Sequence, residues 1–308
     1  MSENLERTDV LFVTGIWGPF DGLGLRLALP REIIYYVRIC GMLQPYILNR
    51  NPWKKAPARL LYVNHNLIRA AGLIVNSDLE KDQVASLGFR APIHLIRNGV
   101  APPREAPKRR EARLSLGLSM EDRVMLYLGR IHPKKGLQKL LPALREFAVR
   151  YPDQRSPKLL VAGGFFDVAF ETEIRKQIAL LPEAGMVTLL GEVAGERKEV
   201  LFAAADVFIL PSESEGLPNA ALESMVRSLP VILTLGCNLP EVANEGAGLV
   251  VEPDANGMAR ALAWTMGPEA ELRNSGHAAS LLAANRFGME RVVEEYDKLI
   301  VHKRSCGG

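Results

Sequence analysis

The sequence predicts an α/β fold in which parallel strands, buried on both faces, alternate with helices. Three observations carry the prediction. Short continuous apolar runs of strand length recur along the chain, the pattern of strands covered above and below. Segments of helical periodicity lie between them. A proline- and charge-rich stretch, APPREAPKRREAR at 101–113, reads as a linker between two regions that share this alternation.

In the first region the strand candidates are DVLFV (9–13), IIYYV (33–37), GLIVN (72–76) and PIHLI (92–96). Helices are expected over 54–70 and 78–87. Around the first of these, Trp53, Leu60, Leu61, Leu67 and Ile68 are spaced for one buried face, and core packing explains them. The second region offers six runs: RVMLYLG (123–129), KLLVAG (158–163), VTLL (187–190), DVFIL (206–210), PVILT (230–234) and GLVV (248–251). Helices are expected near 137–150, 168–180, 196–205, 217–228 and 257–266. This regularity predicts a doubly wound domain. The chain closes on MERVVEEYDKLIVHK (289–303), an amphipathic helix, with SCGG as a frayed tail.

The 308 residues suffice for two domains, and 48% apolar with 24% charged residues is the composition of a globular protein. No apolar run approaches the roughly 18 residues of a membrane span, and the N-terminus has no basic segment leading into an apolar stretch. Cys40, Cys237 and Cys306 are odd in number and widely separated, which points to a reducing compartment. No CxxC or HExxH pattern occurs, so no structural zinc is expected. A net charge of +3 is too small to imply nucleic acid. The excess is uneven: residues 1–105 hold 13 Lys and Arg against 9 Asp and Glu. That basic first part suits either an anionic membrane face, an anionic acceptor or a plain solvated surface.

The stretch Pro211-SESEGLPNAALE-Ser224 carries the most chemistry. It follows the run DVFIL, and so lies at the carboxyl end of a parallel strand, where open α/β sheets bind ligands. Gly216 permits a tight turn, and Pro218 suits the first turn of a helix. The amides at that helix start make an anion site apt for a diphosphate. Glu215 precedes the helix and Glu223 lies more than a turn into it. One carboxylate can therefore reach a sugar hydroxyl at the mouth while the other accepts from a ribose hydroxyl, and such charged acceptors contribute about 1.5–3 kcal/mol per bond.

The second element is GRIHPKKG (129–136), directly after the run RVMLYL. Arg130 and Lys135 stand before a helix opening near Leu137. Paired cations suit a nucleoside diphosphate when no metal supplies charge, and the chain has no Asp-x-Asp motif. His132 sits inside this motif, where it can touch a ligand or simply pack. His65, His94, His277 and His302 have no partner at ligand or triad spacing. The absence of a Gly-x-Ser-x-Gly elbow disfavours a serine hydrolase.

Taken together, these pieces resemble the retaining GT-B glycosyltransferase family of bacterial mannosyl- and glucosyltransferases of polysaccharide assembly. The resemblance runs through nearly all of 121–302. It rests on GRIHPKKG, LLGEV (189–193), AAADVFILPSESEGLPNAALESM (203–225), GCNLPEV (236–242) and GLVVEPD (248–254), in matching order and spacing. It implies two Rossmann-like domains, with the first incomplete: a truncated acceptor-side domain over 1–105, a nucleotide-sugar-binding domain over 106–285, and a terminal helix over 286–308 returning to the first. In that arrangement Val292, Val293, Tyr296, Leu299 and Ile300 face the first domain. The resemblance also implies that Arg130 and Lys135 bind the donor diphosphate, that Glu215 faces the donor sugar as the catalytic carboxylate, and that Glu223 meets the ribose. Gly216, Leu217 and Pro218 would line the phosphate loop, and the backbone near Val193 would border the base. Such enzymes use no metal or other cofactor, and the departing phosphate oxygen takes the acceptor's proton.

The first hundred residues are similar to the same family, with departures. TGIW (14–17), followed by GPF, has Thr14 where histidine is usual. In CGMLQP (40–45), Cys40 stands where arginine or histidine commonly precedes the glycine. VNS (75–77) and RNGV (97–100) match late elements of the acceptor domain. A first strand and a glycine-rich loop, usual at the start of such chains, have no counterpart here. The expectation is a hexosyltransferase acting from a nucleotide diphosphate sugar onto a glycan or lipid-linked acceptor. It is expected in the cytoplasm or against the inner membrane face, with a second copy or a partner chain completing the first domain. The competing expectation is a non-catalytic nucleotide-sugar-binding chain, to which Thr14 and Cys40 point; a sugar epimerase of the same fold ranks last.

Overall fold

The structure, a computed structural model, describes residues 10–18, 34–49, 52–103 and 105–306. Asp9, Ile33, Pro19, Phe20 and the terminal Gly307 and Gly308, which belong to segments named above, lie outside the described residues. The chain divides into two compact units. One comprises Met1–Gly99, Ser214–Leu217 and Met289–Gly308; the other comprises Val100–Glu213 and Pro218–Gly288.

The first unit is built on four parallel strands, β1 (Val10–Thr14), β2 (Ile34–Arg38), β3 (Gly72–Val75) and β4 (Ile93–Leu95), in the order β1-β2-β3-β4. Val10 pairs with Ile34, Tyr36 with Gly72 and Leu73 with Ile93. Because side chains alternate along a strand, odd and even residues feed two different cores. Tyr35, Val37, Leu73 and Val75 join Ile39, Leu43, Val63, Leu67 and Val84 on one face. Tyr36 and Ile74 join Ile96 and Val292 on the other, with Tyr296 and Leu299 packed against them. The helix Met289–Cys306 therefore covers the second face, and it runs through Ser305 and Cys306, which the sequence suggests as tail. Val293, expected to pack, is 50% exposed.

The segment before β3 departs most from expectation. Helix Pro52–Ala58 passes through a π-helical turn, Arg59–Val63, into helix Asn64–Arg69, and a short helix, Pro45–Asn49, precedes it. A π turn has wider i→i+5 bonding and rotates the face that follows. Of the five apolar residues assigned to a buried face, only Leu67 is buried. Trp53, Leu60, Leu61 and Ile68 are exposed, and the face laid on the sheet is instead Val63, Asn66, Leu67 and Ala70. Helix Asp78–Ala85 follows β3, capped by the Ser77 side chain accepting from the Glu80 amide.

The second unit has six parallel strands in the order β10-β9-β8-β5-β6-β7. They are β5 (Val124–Leu128), β6 (Lys158–Ala162), β7 (Val187–Gly191), β8 (Val207–Leu210), β9 (Val231–Thr234) and β10 (Gly248–Val251). β5 and β8 are buried at every residue, as the continuous apolar runs require. The chain winds outward from β5 through β6 and β7, then returns to β8 on the other side of β5, so the order reverses between β5 and β8. Helices Leu137–Arg150, Val168–Ala179, Glu196–Ala204, Ala255–Thr265 and Glu269–Phe287 pack around the sheet.

Two expectations fail here. The second half of the linker is the helix Arg109–Ser115, and Arg113 within it is fully buried. Its guanidinium donates to the carbonyls of Ala204, Ser119, Met120 and Asp122 and to the Asp206 carboxylate at 2.7 Å. Burial pulls its pKa down while Asp206 opposes the shift, the behaviour of a cation held inside by saturated hydrogen bonding. The helix expected over 217–228 is only Asn219–Met225, because Pro218 stays extended as its cap (φ −78°, ψ 105°) rather than entering the first turn.

Candidate functional site

In an open parallel sheet the crevice for a ligand lies outside the carboxyl ends of the strands, where the strand order reverses. That point in the second unit is between β5 and β8, and the two motifs singled out from sequence are the loops that leave those two strands.

After β5, the Tyr127 hydroxyl donates to the Arg130 carbonyl at 3.1 Å, and Arg130 itself is exposed. His132 caps a 3₁₀ turn, Pro133–Lys135, its Nδ1 accepting from the Lys134 amide at 2.9 Å. Its ring meets Phe166 edge-on, with centroids 4.3 Å apart, so His132 has a structural task in the loop. Gly136 closes the turn in the left-handed region (φ 78°) and opens helix Leu137–Arg150. Lys135, one residue earlier, is half-buried.

The loop after β8 is stitched to this one. The Lys134 carbonyl accepts from the Glu213 amide at 2.8 Å and from the Ser212 hydroxyl at 3.1 Å. The Glu213 carboxylate pairs with Lys139, whose ammonium also donates to the Pro253 carbonyl at 2.7 Å. The Thr234 hydroxyl, at the end of β9, donates to the Ser212 carbonyl. Pro218 is buried, and Glu223 stands a turn into the helix that follows. The Glu223 carboxylate is paired with Lys198. Beside this pair, Arg227 holds buried Glu199 through both oxygens at 2.7 and 2.6 Å and donates to the Glu223 carbonyl at 2.7 Å.

A third loop joins from β6. Gly163 donates to the Gly191 carbonyl at 2.7 Å, Ile131 to the Gly164 carbonyl at 2.8 Å, and Phe166 to the Ile131 carbonyl at 2.9 Å. The carboxyl ends of β5, β6 and β7 are thus laced together by main chain. Val193, half-buried, lies in the loop after β7, the edge strand.

Glu215, Gly216 and Leu217 belong to the first unit. Gln44 donates to the Glu215 carbonyl at 2.6 Å, and the Ser214 hydroxyl donates to the Gln44 side-chain oxygen. Gly216 lies against the Cys40–Gly41 turn so closely that an added Cβ would sit 2.9 Å from the Cys40 carbonyl carbon. Asn98 donates to the Leu217 carbonyl at 3.1 Å and accepts from Arg38 at 2.7 Å. Arg38 also donates to Asn76 and to the Tyr296 hydroxyl. Buried Glu80 accepts from the Gly41 and Asn76 amides. Its carboxyl is pushed up by burial, against which those amides work. Cys40 adopts φ 53°, and burial raises its thiol pKa, with Arg38 and Asn76 opposing. Thr14 is exposed at the end of β1.

Sequence reasoning gave no role to Gln44, Asn98, Arg38, Glu80 or Lys198. The Ser77-x-x-Glu80 spacing is a helix-start signal, Gly163-Gly164 at a strand end marks a close approach, and Gln44 and Asn98 lie inside the CGMLQP and RNGV stretches that match the family; nothing local flags Arg38 or Lys198.

Two parallel α/β units, one with anchored loops at its reversal point, define a protein of the GT-B type. The family model for group 1 glycosyl transferases matches residues 108–279. The chain belongs to that family. It is 27% identical over 268 residues to the D-inositol 3-phosphate glycosyltransferase of Jonesia denitrificans, covering 80% of this chain and 60% of that one. It is 32% identical over 240 residues to D-inositol 3-phosphate glycosyltransferase 2 of Catenulispora acidiphila, covering 75% and 56%. The chain thus spans well under two thirds of the length of these relatives. Its fold is that of the sucrose-phosphate synthase of Thermosynechococcus elongatus, with TM-score 0.80, 22% identity, and 97% and 74% coverage. It is also that of Anabaena HepE, solved with UDP and glucose, with TM-score 0.79, 18% identity, and 97% and 79% coverage.

Proposed function

We propose that this chain is a retaining glycosyltransferase that moves a hexose from a nucleotide diphosphate sugar to a glycan or lipid-linked acceptor. The observation that carries the reading is the junction of the Arg130–Gly136 and Pro211–Glu213 loops at the reversal point of the second unit. There Arg130 and Lys135 supply the positive charge that a diphosphate leaving group needs, in place of a metal. Glu223 accepts from the ribose once Lys198 yields it, the Val193 backbone borders the base, and Gly216, Leu217 and Pro218 line the phosphate loop. Glu215 faces the sugar as its bond to phosphate breaks, and the departing phosphate oxygen receives the acceptor's proton. The bound UDP and glucose of HepE support a uridine donor.

Replacing Lys135 by Ala should weaken UDP binding about tenfold or more, from loss of one charge-assisted contact of about 1.5–3 kcal/mol. Unchanged affinity by calorimetry would remove the assignment. The anomeric configuration of the product, read by NMR, tests retention.

A second reading, nucleotide-sugar binding without transfer, is favoured by Thr14 and by the half-buried Cys40, whose thiol pKa burial raises, where the family commonly has a basic side chain. Donor binding without turnover by the purified chain, and with candidate acceptors, would establish it.

A further inference from the structure

The amino ends of β5, β8 and β9, opposite the loops of the candidate site, carry a second concentration of charge. Arg123, Asp206 and Pro230 immediately precede these three neighbouring strands. All three line a cavity of ≈ 310 Å³, which Arg109, Arg227, Ser228 and Arg273 also border. The cavity lies wholly within the second unit. The donor reading uses none of Arg109, Arg123, Asp206 or Ser228.

Charge around this cavity does not balance. Arg227 holds Glu199 and Arg273 pairs with Glu269, one carboxylate to each cation. Arg109, Arg113 and Arg123 instead share a single carboxylate, that of Asp206, which is 8% exposed. The nearby Asp122 gives its carboxylate to the Ser119 amide and to Arg155. Three cations on one anion leave two positive charges over. Arg113 is sealed inside, so the surplus is presented by Arg109 and Arg123, whose side chains are 43% and 21% exposed. Their bonds fix these two without exhausting them. Arg109 gives one nitrogen to the Ala205 carbonyl and another to Asp206. Arg123 gives one to the Gly267 carbonyl and stands 3.9 Å from Asp206. Each guanidinium keeps further N–H donors for a ligand. At φ 57°, in the left-handed region that favours glycine, Ser228 keeps a hydroxyl on the same wall.

We propose that this cavity binds a phosphate dianion, free or as the monoester of a small metabolite. Planar guanidinium forks held in advance by Asp206 match the paired oxygens of a phosphate, and two surplus charges match its two. A single carboxylate ligand would neutralise only one of them. Small-molecule sites run from about 300 to 1,000 Å³, so the cavity has room for phosphate with a short polar body and not for a large ligand.

Calorimetric titration of the full chain with inorganic phosphate, at constant ionic strength and with chloride as the control anion, tests this. Phosphate should bind and raise the unfolding midpoint, and chloride should do neither. Glycerol 3-phosphate should bind at least as tightly as phosphate if the occupant is a monoester, and at least about tenfold more weakly if it is the free ion. Arg109→Gln and Arg123→Gln should each weaken phosphate about tenfold, through loss of one charge-assisted contact. Lys135→Ala, at the proposed donor site, should leave this binding in place, which separates the two sites. Ser228→Gly removes the hydroxyl and relieves the left-handed backbone. It should keep or raise the midpoint without phosphate and weaken phosphate about threefold, so it serves even if an arginine variant fails to fold. Failure to bind phosphate at millimolar concentration would overturn the proposal. Binding that all three cavity variants leave unchanged, or that Lys135→Ala abolishes, would do so equally.

Discussion

Gly136 and Pro211 approach so closely that a Cβ on Gly136 would lie 1.8 Å from the Pro211 carbonyl oxygen. The contact fixes the loop after β5 against the loop after β8, and it needs glycine twice over, for space and for φ 78°. Gly136→Ala should therefore cost about 1–3 kcal/mol or more of stability. It should also displace Lys135 and lower nucleotide diphosphate affinity. Thermal unfolding and calorimetry on the variant check both. An alanine variant with parental midpoint and affinity would mean the two loops are not held as described.

Glu215 and Glu223 should separate in function. Glu223 pairs with Lys198 in the second unit, whereas the Glu215 backbone is held by Gln44 in the first. Glu223→Gln should weaken bare UDP more than it weakens the further gain from an attached sugar, and Glu215→Gln should do the reverse. Affinities for UDP and for UDP-glucose in each variant decide this. Equal losses for both ligands in both variants would erase the distinction.

Acid should destabilise the first unit partly through His94. Its ring meets Tyr36 edge-on at 5.7 Å, and burial lowers its pKa below the ordinary 6.5. A folded pKa below the unfolded one means stability is complete above the unfolded value and is lost as pH falls through the folded value. The unfolding midpoint should thus drop as pH falls below the ordinary histidine value of 6.5, and drop less in His94→Gln. Glu80, raised by burial above the ordinary 4.5, acts in the opposite sense, so the parent-minus-variant difference is the quantity to follow. Parallel pH profiles would remove His94 from the account.

The strands of both units were legible because continuous apolar runs such as VMLYL and VFIL are required where a strand is covered on both faces. The glycine-bearing loops after β5 and β8 were legible for a related reason, since a strand end that turns sharply into a helix advertises itself. Periodicity failed at Trp53, Leu60, Leu61 and Ile68 because it identifies a face without saying what covers it, and a π turn leaves no mark in composition. Arg113 was hidden in a charged stretch, its burial depending on three carbonyls of the following turn and on two acceptors, at Ala204 and Asp206, that lie 91 and 93 residues away. Gln44 and Asn98 bond main-chain carbonyls 171 and 119 residues away, which no local pattern encodes.

Asn98 offers the sharpest test of how Glu215 is positioned. Its side chain joins Arg38 to the Leu217 carbonyl, and Arg38 is anchored independently by Asn76 and Tyr296. Asn98→Ala should therefore leave the Arg38 hub standing while freeing the Leu217 carbonyl, at a stability cost of about 1–2 kcal/mol. The segment Ser214–Leu217 would lose one of its ties, with Gln44 still holding the Glu215 carbonyl. Bare UDP should bind almost as before, because the proposed diphosphate residues Arg130 and Lys135 stand on loops of the second unit. If Glu215 faces the sugar as proposed, the extra affinity contributed by the sugar should shrink. Calorimetry with UDP and UDP-glucose, beside thermal unfolding, reads all three quantities. If UDP itself weakens as much as the sugar conjugate, Asn98 supports the whole nucleotide site, and its assignment to Glu215 is wrong.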